Sequence, residues 1–344
     1  MNHSTVEPQY IVSTPDLQSA LEVALSQHFR GPCRLVGLDR QAFWNRSSFA
    51  LEELTVYLEN GSTLPILFKD LSWPALSAAG RLAKPGFLYD PLREIETYRT
   101  ILAPDVPDAP TCYGAVVEAQ LGRYWLFLEK VPGLELYYVG FETWVKVAEW
   151  LASLHHRFAQ EPELDHRAQA AHVLRYDATF YGLWPRRAQA FLRRAQPVLP
   201  AGDLARLDQL VDRYDAVVQQ LLVLPLTLIH GECYASNVLV QEREDALRVC
   251  PVDWEMAAIG PGLMDIVALT AGSWTEEQKV AMALAYRAAL APGHGWPPAP
   301  EIFLKALNCC RLHVAMQWLG WSEEWSPPPE HAQNWLSEAL HVAE

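Results

Sequence analysis

Residues 226–255 alternate apolar runs with polar loops at a spacing few folds accommodate: LTLI, HGECYASN, VLV, QEREDA, LRVCPV, DWE. The NVLV and LRVCPVDW segments are short, apolar and separated by a polar turn, so they read as a hairpin. Asn237 then begins one strand and Asp253, sixteen residues later, ends the other. A tight turn brings the two together. An aspartate at the end of an apolar strand is costly to bury without a partner. A carboxylate beside an amide oxygen is a hard-oxygen pair suited to Mg²⁺, whose other ligands are water and phosphate. Glu232 lies one loop earlier, where it can accept or orient the proton of an approaching hydroxyl.

The chain has 344 residues, half of them apolar, and a formal charge of −14. That length allows one large or two moderate domains with an ample core. The acidic balance argues against nucleic acid and membrane-surface partners, which require a basic face. It suits a cationic or neutral small molecule, although solubility alone accounts for it equally well. MNHSTVEPQYIV has neither a basic start nor an apolar core of the kind a signal peptide needs. No apolar run approaches the roughly 20 residues that span a bilayer. The six cysteines show no C-x-x-C pair and no Cys/His ligand spacing. A cytoplasmic protein with reduced thiols is the expectation.

The first third reads as strands plus one helix. RLVGLDR, SSFALEEL, TVYLE and LPILFKDL are short and apolar, and Asn60-Gly61 marks a hairpin turn. In YDPLREIETYRTIL, Asp90 is an N-cap and Pro91 suits the first helical position. Glu94, Tyr98 and Ile101 share a face of that helix and point inward, whereas Glu96 falls on a polar face with Arg99 and Thr100. YGAVVEA and YWLFLEKV add two strands. From residue 141 the pattern turns helical, with Val147, Leu151, Leu154 and Phe158 on one stripe. Leu204, Leu207, Val211, Tyr214, Val218 and Leu221 form another stripe. The fold class is therefore α+β, a sheet-rich lobe (1–130) followed by a helical lobe (131–344) that opens near Glu129 to Gly133.

The paired segments HGECYASN and DWE, with Gly260 and Asp265 downstream and LASLHH upstream, resemble the aminoglycoside phosphotransferase and choline-kinase-like family. The likeness runs in order over roughly residues 33–325. It implies a protein-kinase-like bilobal fold and ATP- or GTP-dependent phosphorylation of a small-molecule hydroxyl, with Mg²⁺. Carried onto this chain, Glu232 is the catalytic acid of the loop, and Asn237 and Asp253 are the metal ligands. Lys69 holds nucleotide phosphates and Glu94 supports it. The main chain around Glu129 to Val131 meets the adenine. The phosphate-covering loop falls in LDRQAFWNRSS, which has no glycine, so Asn45, Ser47 and Ser48 become the expected hydrogen-bond donors. His230 is expected to bond the loop's main chain, and Asp265 to anchor its backbone. Trp274, Trp318, Trp321 and Trp325 are expected in packing, with one or two of them walling the acceptor pocket.

The family's loop acid is normally Asp. Glu extends the reach by about 1.5 Å, and a shift of that size costs ~10²-fold if the loop is otherwise unchanged. The loop can sit back so that Glu232 works as the base, or the acceptor can sit differently. Alternatively catalysis is lost and a nucleotide-binding pseudokinase remains. An active enzyme is the expectation, because Glu keeps the charge and the acceptor atoms and the metal pair, lysine and helical Glu are all present. A third reading keeps the fold and transfers a nucleotidyl group. The acceptor itself, whether aminoglycoside, amino alcohol or sugar-like, is not written in these motifs.

Overall fold

The computed structural model describes residues 12–43, 48–194, 202–244, 246–272, 274–290, 299–323 and 333–343. Its first element corrects the strand-rich reading of the opening third. Helix α1 (Thr14–His28) is capped by Ser13, whose side chain accepts the Asp16 N–H, and has proline in its first turn. Leu17, Leu21 and Leu25 recur every fourth residue and are fully buried. This cap and stripe were visible in the sequence.

Strands β1 (Leu35–Phe43), β2 (Ala50–Leu58), β3 (Thr63–Asp70), β4 (Cys112–Glu118) and β5 (Arg123–Glu129) form one antiparallel sheet, ordered β1-β2-β3-β5-β4. SSFALEEL and TVYLE, expected as separate strands, are a single strand. No turn residue divides them, and the register runs unbroken from Ala50 opposite Asp70 to Tyr57 opposite Thr63. The Asn60-Gly61 turn is present, with Gly61 at φ 83°. Because side chains alternate, Leu54, Val56, Ile66, Phe68 and Phe127 pack under α1. Lys69, Leu126 and Leu128 belong to the opposite face, where the main core begins. Helix and sheet meet closely at Gly114, where a Cβ would lie 2.8 Å from that of Ala24.

Between β3 and β4 lie α2 (Ala78–Ala83) and α3 (Pro91–Glu96). Asp90 caps α3 as expected, accepting the Leu92 N–H. The helix does not run on as α. It widens into a π-helical turn, Thr97–Leu102, before α4 (Ala103–Asp105). The Thr100 hydroxyl donates to the Glu96 carbonyl at 2.6 Å, and Arg167 donates to the carbonyls of Thr100 and Ile101. Side chains inserted into the helical ladder in this way favour a local widening.

The remainder runs β6 (Leu134–Glu135), α5 (Phe141–Ala159), α6 (Leu164–Ala170), β7 (Leu174–Arg175), α7 (Ala178–Arg194), α8 (Asp203–Asp212), α9 (Tyr214–Leu222), β8 (Leu226–Ile229), β9 (Val238–Glu242), β10 (Leu247–Pro251), β11 (Ala258–Pro261), α10 (Leu263–Leu269), α11 (Glu276–Ala289), α12 (Pro300–Leu319) and α13 (Trp335–Val342). Val147, Leu151, Leu154 and Phe158 of α5 are buried, as their spacing required. The stripe from Leu204 to Leu221 breaks at Arg213 into α8 and α9, and the bend lets both pieces pack on α7. The β9–β10 hairpin forms in register, Val238 opposite Pro251. It is not alone: β6 extends it, and β7, β11 and β8 make a third sheet. Strands of two to four residues are too short to show a period in sequence. A continuous core joins β5 and α3 to α5, α7 and the helices after β11.

Candidate active site

Lys69 reaches the main core from the penultimate position of β3 and is 3% exposed. Its ammonium lies 2.6 Å from a carboxylate oxygen of Glu94 on α3 and 2.5 Å from Oδ1 of Asp253, beyond β10. Burial alone would lower its pKa; Asp253, Glu94 and Glu255 together outweigh that and raise it, so the ammonium stays charged. Asp253 is moved the other way. Burial disfavours its charge, but the Lys69 ammonium holds it below the usual carboxylate range. The inward face expected of α3 is present, with Glu94, Tyr98 and Ile101 buried, while Glu96 pairs with Arg99 outside.

The loop from His230 to Asn237 is suspended from α10. Asp265, fully buried, accepts the His230 N–H at 2.7 Å and the Gly231 N–H at 2.9 Å, one on each oxygen. His155, near the end of α5, donates to the same carboxylate from Nε2 at 3.2 Å and meets the Tyr286 hydroxyl at 2.9 Å through Nδ1. His230 is a framework residue, as expected. Its Nδ1 accepts the Glu232 N–H at 3.2 Å and its Nε2 donates to the Val252 carbonyl at 2.9 Å. Burial lowers its pKa, which suits this neutral, doubly engaged ring. Gly231 has φ 83°, and a Cβ there would come within 2.3 Å of the Met256 carbonyl oxygen. Only glycine lets this loop pass so close to the turn after β10.

Asp253 itself is left-handed, at φ 67°. Strained backbone at a non-glycine residue persists where surrounding contacts over-determine it; here the Lys69 ion pair and the β9–β10 hairpin do so. Asn237 is brought beside it, because the Val252 N–H donates to the Asn237 carbonyl at 2.8 Å. The Asn237 side-chain nitrogen donates to the Glu232 carbonyl at 3.0 Å. That orients the amide and leaves its oxygen as the atom to offer a cation. Glu255, two residues beyond Asp253, forms an ion pair with Lys84.

Four carboxyl groups (Glu94, Glu232, Asp253, Glu255) thus cluster with two ammonium groups (Lys69, Lys84). The excess acidity falls on two of them: burial pushes Glu94 up to about 7 against the pull of Lys69, and burial with Glu255 and Asp253 pushes Glu232 up to about 8 against Lys84 and Lys69. A divalent cation fits this donor set. Among the described residues no three or more His, Cys, Asp or Glu side chains are grouped to cage a metal, and Mg²⁺ with phosphate ligands needs only one or two protein oxygens.

Lys84, Glu255 and Arg93 were not singled out from the sequence. Arg93 is buried and donates to three main-chain carbonyls, those of His172, Leu88 and Glu255, which locks α3 to the turn after β10. Only Glu255 carried a signal, as part of DWE. Glu129 is the last residue of β5; its carboxylate is gripped by Arg248 at 2.7 and 2.9 Å and its N–H donates to the Thr111 carbonyl. The Val131 carbonyl accepts the Gly133 N–H at 3.0 Å. Ser48 is tied through its carbonyl to the Ser77 N–H at 2.9 Å; Asn45, Ser47 and Trp325 lie outside the described residues. Trp274 packs on Trp144, and Trp321 stacks on Trp184. Trp318 donates to the hydroxyl of Tyr234, two residues past Glu232. No helix among the described residues is long and apolar enough to cross a membrane.

The sequence profile of the phosphotransferase enzyme family (APH) matches residues 80–302, well over half of the chain. The chain belongs to that family. It is a phosphotransferase, with a protein-kinase-like fold. Solved structures of the same fold include a GDP complex of wild-type aminoglycoside 2'-phosphotransferase-IIIa, 15% identical, with a TM-score of 0.55 over 95% of this chain and 97% of that one. A microcompartment-associated aminopropanol kinase is 16% identical, with a TM-score of 0.56 over 89% of each chain. Choline kinase from Cryptosporidium parvum Iowa II is 15% identical, with a TM-score of 0.54 over 96% of this chain and 94% of that one. No curated protein matches the chain in sequence.

Proposed function

We propose that this phosphotransferase moves the γ-phosphoryl group of ATP or GTP to a hydroxyl of an aminoglycoside, amino-alcohol or sugar-like acceptor. The nucleotide binds between a lobe of residues 1–130 and a lobe of residues 131–344, its base against the main chain of Glu129 to Val131. Ser47 and Ser48 would donate hydrogen bonds to the phosphates. Lys69, oriented by Glu94, binds the nucleotide phosphates. Asn237 and Asp253 would hold Mg²⁺, which neutralises phosphate charge when bound. Glu232 orients the acceptor hydroxyl. As the acceptor oxygen bonds to the γ-phosphorus, the bond from that phosphorus to the β-phosphate oxygen breaks and its electron pair leaves with the nucleoside diphosphate. The hydroxyl proton passes to the Glu232 carboxylate.

The observation that carries this reading is the single ammonium of Lys69, bridged at 2.6 and 2.5 Å to Glu94 and Asp253. It joins the sheet, α3 and the metal turn at the place where the phosphates would lie. The test is turnover. Wild-type protein with Mg²⁺ and ATP or GTP should release nucleoside diphosphate slowly with water as acceptor, and faster with one class from a panel of aminoglycosides, amino alcohols and sugars. Tight nucleotide binding with no hydrolysis and no transfer across the panel would replace this reading by that of a nucleotide-binding regulator.

A further inference from the structure

Lys84 belongs to no motif, yet it is 8% exposed. It follows the last turn of α2 and sends its ammonium across to the Glu255 carboxylate, 171 residues further along the chain. The same ammonium lies 4.8 Å from the centre of the Phe49 ring, and that of Lys69 lies 5.5 Å from the same centre. Both ammoniums therefore lie near one aromatic ring, which sits at the far end of the β1–β2 connection. The segment carrying Lys84 is joined to that connection directly. Phe49 bridges to Leu76, and the Ser77 N–H donates to the Ser48 carbonyl.

A purely mechanical tie at this place would not need a lysine. The segment is already held by Leu76 and Ser77 on one side and on the other by the Ser322 hydroxyl, which donates to the Leu82 carbonyl at 2.8 Å. Burying an ammonium costs more than burying an apolar side chain unless its charge is used. The neighbouring cations are committed. Lys69 serves two carboxylates, and Arg93 serves three carbonyls. A transferring phosphoryl group entering beside Glu255 would meet like charge there, and on Glu232 as well whenever that acid is ionised. Lys84 has a flexible four-carbon stem and a single carboxylate partner to leave.

We propose that Lys84 is a second phosphate-directed lysine. When a nucleoside triphosphate binds, its ammonium moves from Glu255 to the γ-phosphoryl oxygens and stabilises their charge during transfer. The bonds made and broken are those already described: acceptor oxygen to phosphorus, phosphorus from the β-phosphate oxygen, and the hydroxyl proton to Glu232. Lys84 stays protonated throughout. The proposal rests on the reading that this pocket binds a nucleoside triphosphate.

The experiment compares ATP with ADP by calorimetry in the presence of Mg²⁺, and ATP hydrolysis by turnover, in wild type, Lys84→Met, Lys84→Arg, Glu255→Gln and the Lys84→Met/Glu255→Gln double variant. Losing a γ-phosphoryl contact should weaken ATP about tenfold, leave ADP within about twofold and lower kcat about 10²-fold, the size seen when one positioned donor is removed. Lys84→Arg should recover part of kcat. The double variant, which leaves no unpaired buried carboxylate, should melt near wild type yet stay slow. It also keeps the test sound if Lys84→Met alone folds poorly. Equal losses for ATP and ADP, or full turnover in the double variant, would reduce Lys84 to a structural tie. Wild type that binds neither nucleotide would overturn the nucleotide reading along with it.

Discussion

Asp265 accepts the main-chain N–H of His230 at 2.7 Å from a position 35 residues away in sequence, and its second oxygen takes the next N–H in the chain. The loop acid two residues after His230 is therefore positioned by a fully buried carboxylate on another element. Asp265→Asn exchanges one acceptor oxygen for an NH₂ group facing donors. At least one buried N–H then loses its partner, a cost of about 1–3 kcal/mol. Urea unfolding should show that loss, and turnover should fall by more than nucleotide affinity, since nothing touching the nucleotide has changed. A variant with normal turnover would mean the loop holds its shape without Asp265.

Lys69 separates Glu94 from Asp253, and each depends on it. Lys69→Ala leaves both carboxylates without their shared cation. Breaking a buried pair from one side costs about 3–5 kcal/mol, so a lower melting temperature should accompany weak nucleotide binding. Glu94→Gln keeps a hydrogen-bond acceptor and leaves the Asp253 contact, so its loss should be smaller on both measures. Calorimetry that finds Lys69→Ala binding ATP like wild type would reduce the lysine to an internal ion-pair partner.

The parts of this site that were legible in sequence are those recorded by local spacing. Asp90, Pro91 and Glu94 follow capping and face rules within one helix. The hairpin that joins Asn237 to Asp253 is spelled by two apolar runs and a polar turn. Asp265 owed its expected role to a family likeness, and the His230 and Gly231 N–H groups that it accepts agree with it. Lys84 and Arg93 escaped because their meaning lies in partners 171 and 162 residues away, and no periodicity encodes that. Helix α1 escaped differently. Its Leu17, Leu21 and Leu25 stripe is written in the sequence, but it precedes a run of strand-like segments of similar apolar content.

The acidic excess of the pocket makes divalent cation binding measurable without any acceptor. Mg²⁺ with ATP should raise the melting temperature of wild type, because a ligand that binds only the native state stabilises it. At a ligand concentration 100 times Kd the gain is about 2.7 kcal/mol. Asp253→Ala should abolish the Mg²⁺-dependent part. Asn237→Ala should reduce it and also loosen Glu232, whose carbonyl accepts from the Asn237 side chain. Equal thermal shifts with and without Mg²⁺ in wild type would remove Asn237 and Asp253 as metal ligands.

Glu232 carries a pH dependence of its own, beside that of Glu94. Its pKa of about 8 stands above the usual 4.5, through burial and the charges of Glu255 and Asp253. A carboxyl raised on folding binds its proton more tightly in the native state than in the unfolded one. Between about pH 4.5 and pH 8 the native state holds the extra proton, so stability falls as pH rises and levels off above about 8. Glu232→Gln removes that loss. Its melting temperature should match wild type near pH 4.5 and exceed it increasingly up to about pH 8. Turnover should move the opposite way. The ionised carboxylate is the working form, so wild-type hydrolysis should rise with pH along a limb that Mg²⁺ shifts downward, because a nearby cation favours the charged acid. Glu232→Gln should lose the limb and about 10²-fold in kcat while keeping nucleotide affinity. Glu232→Asp should also be slow. The Glu232 main chain is pinned by His230 and Asn237, so a side chain shorter by about 1.5 Å withdraws from the acceptor instead of dragging the loop forward. An Asp variant as fast as wild type would mean the loop was never built around the longer acid.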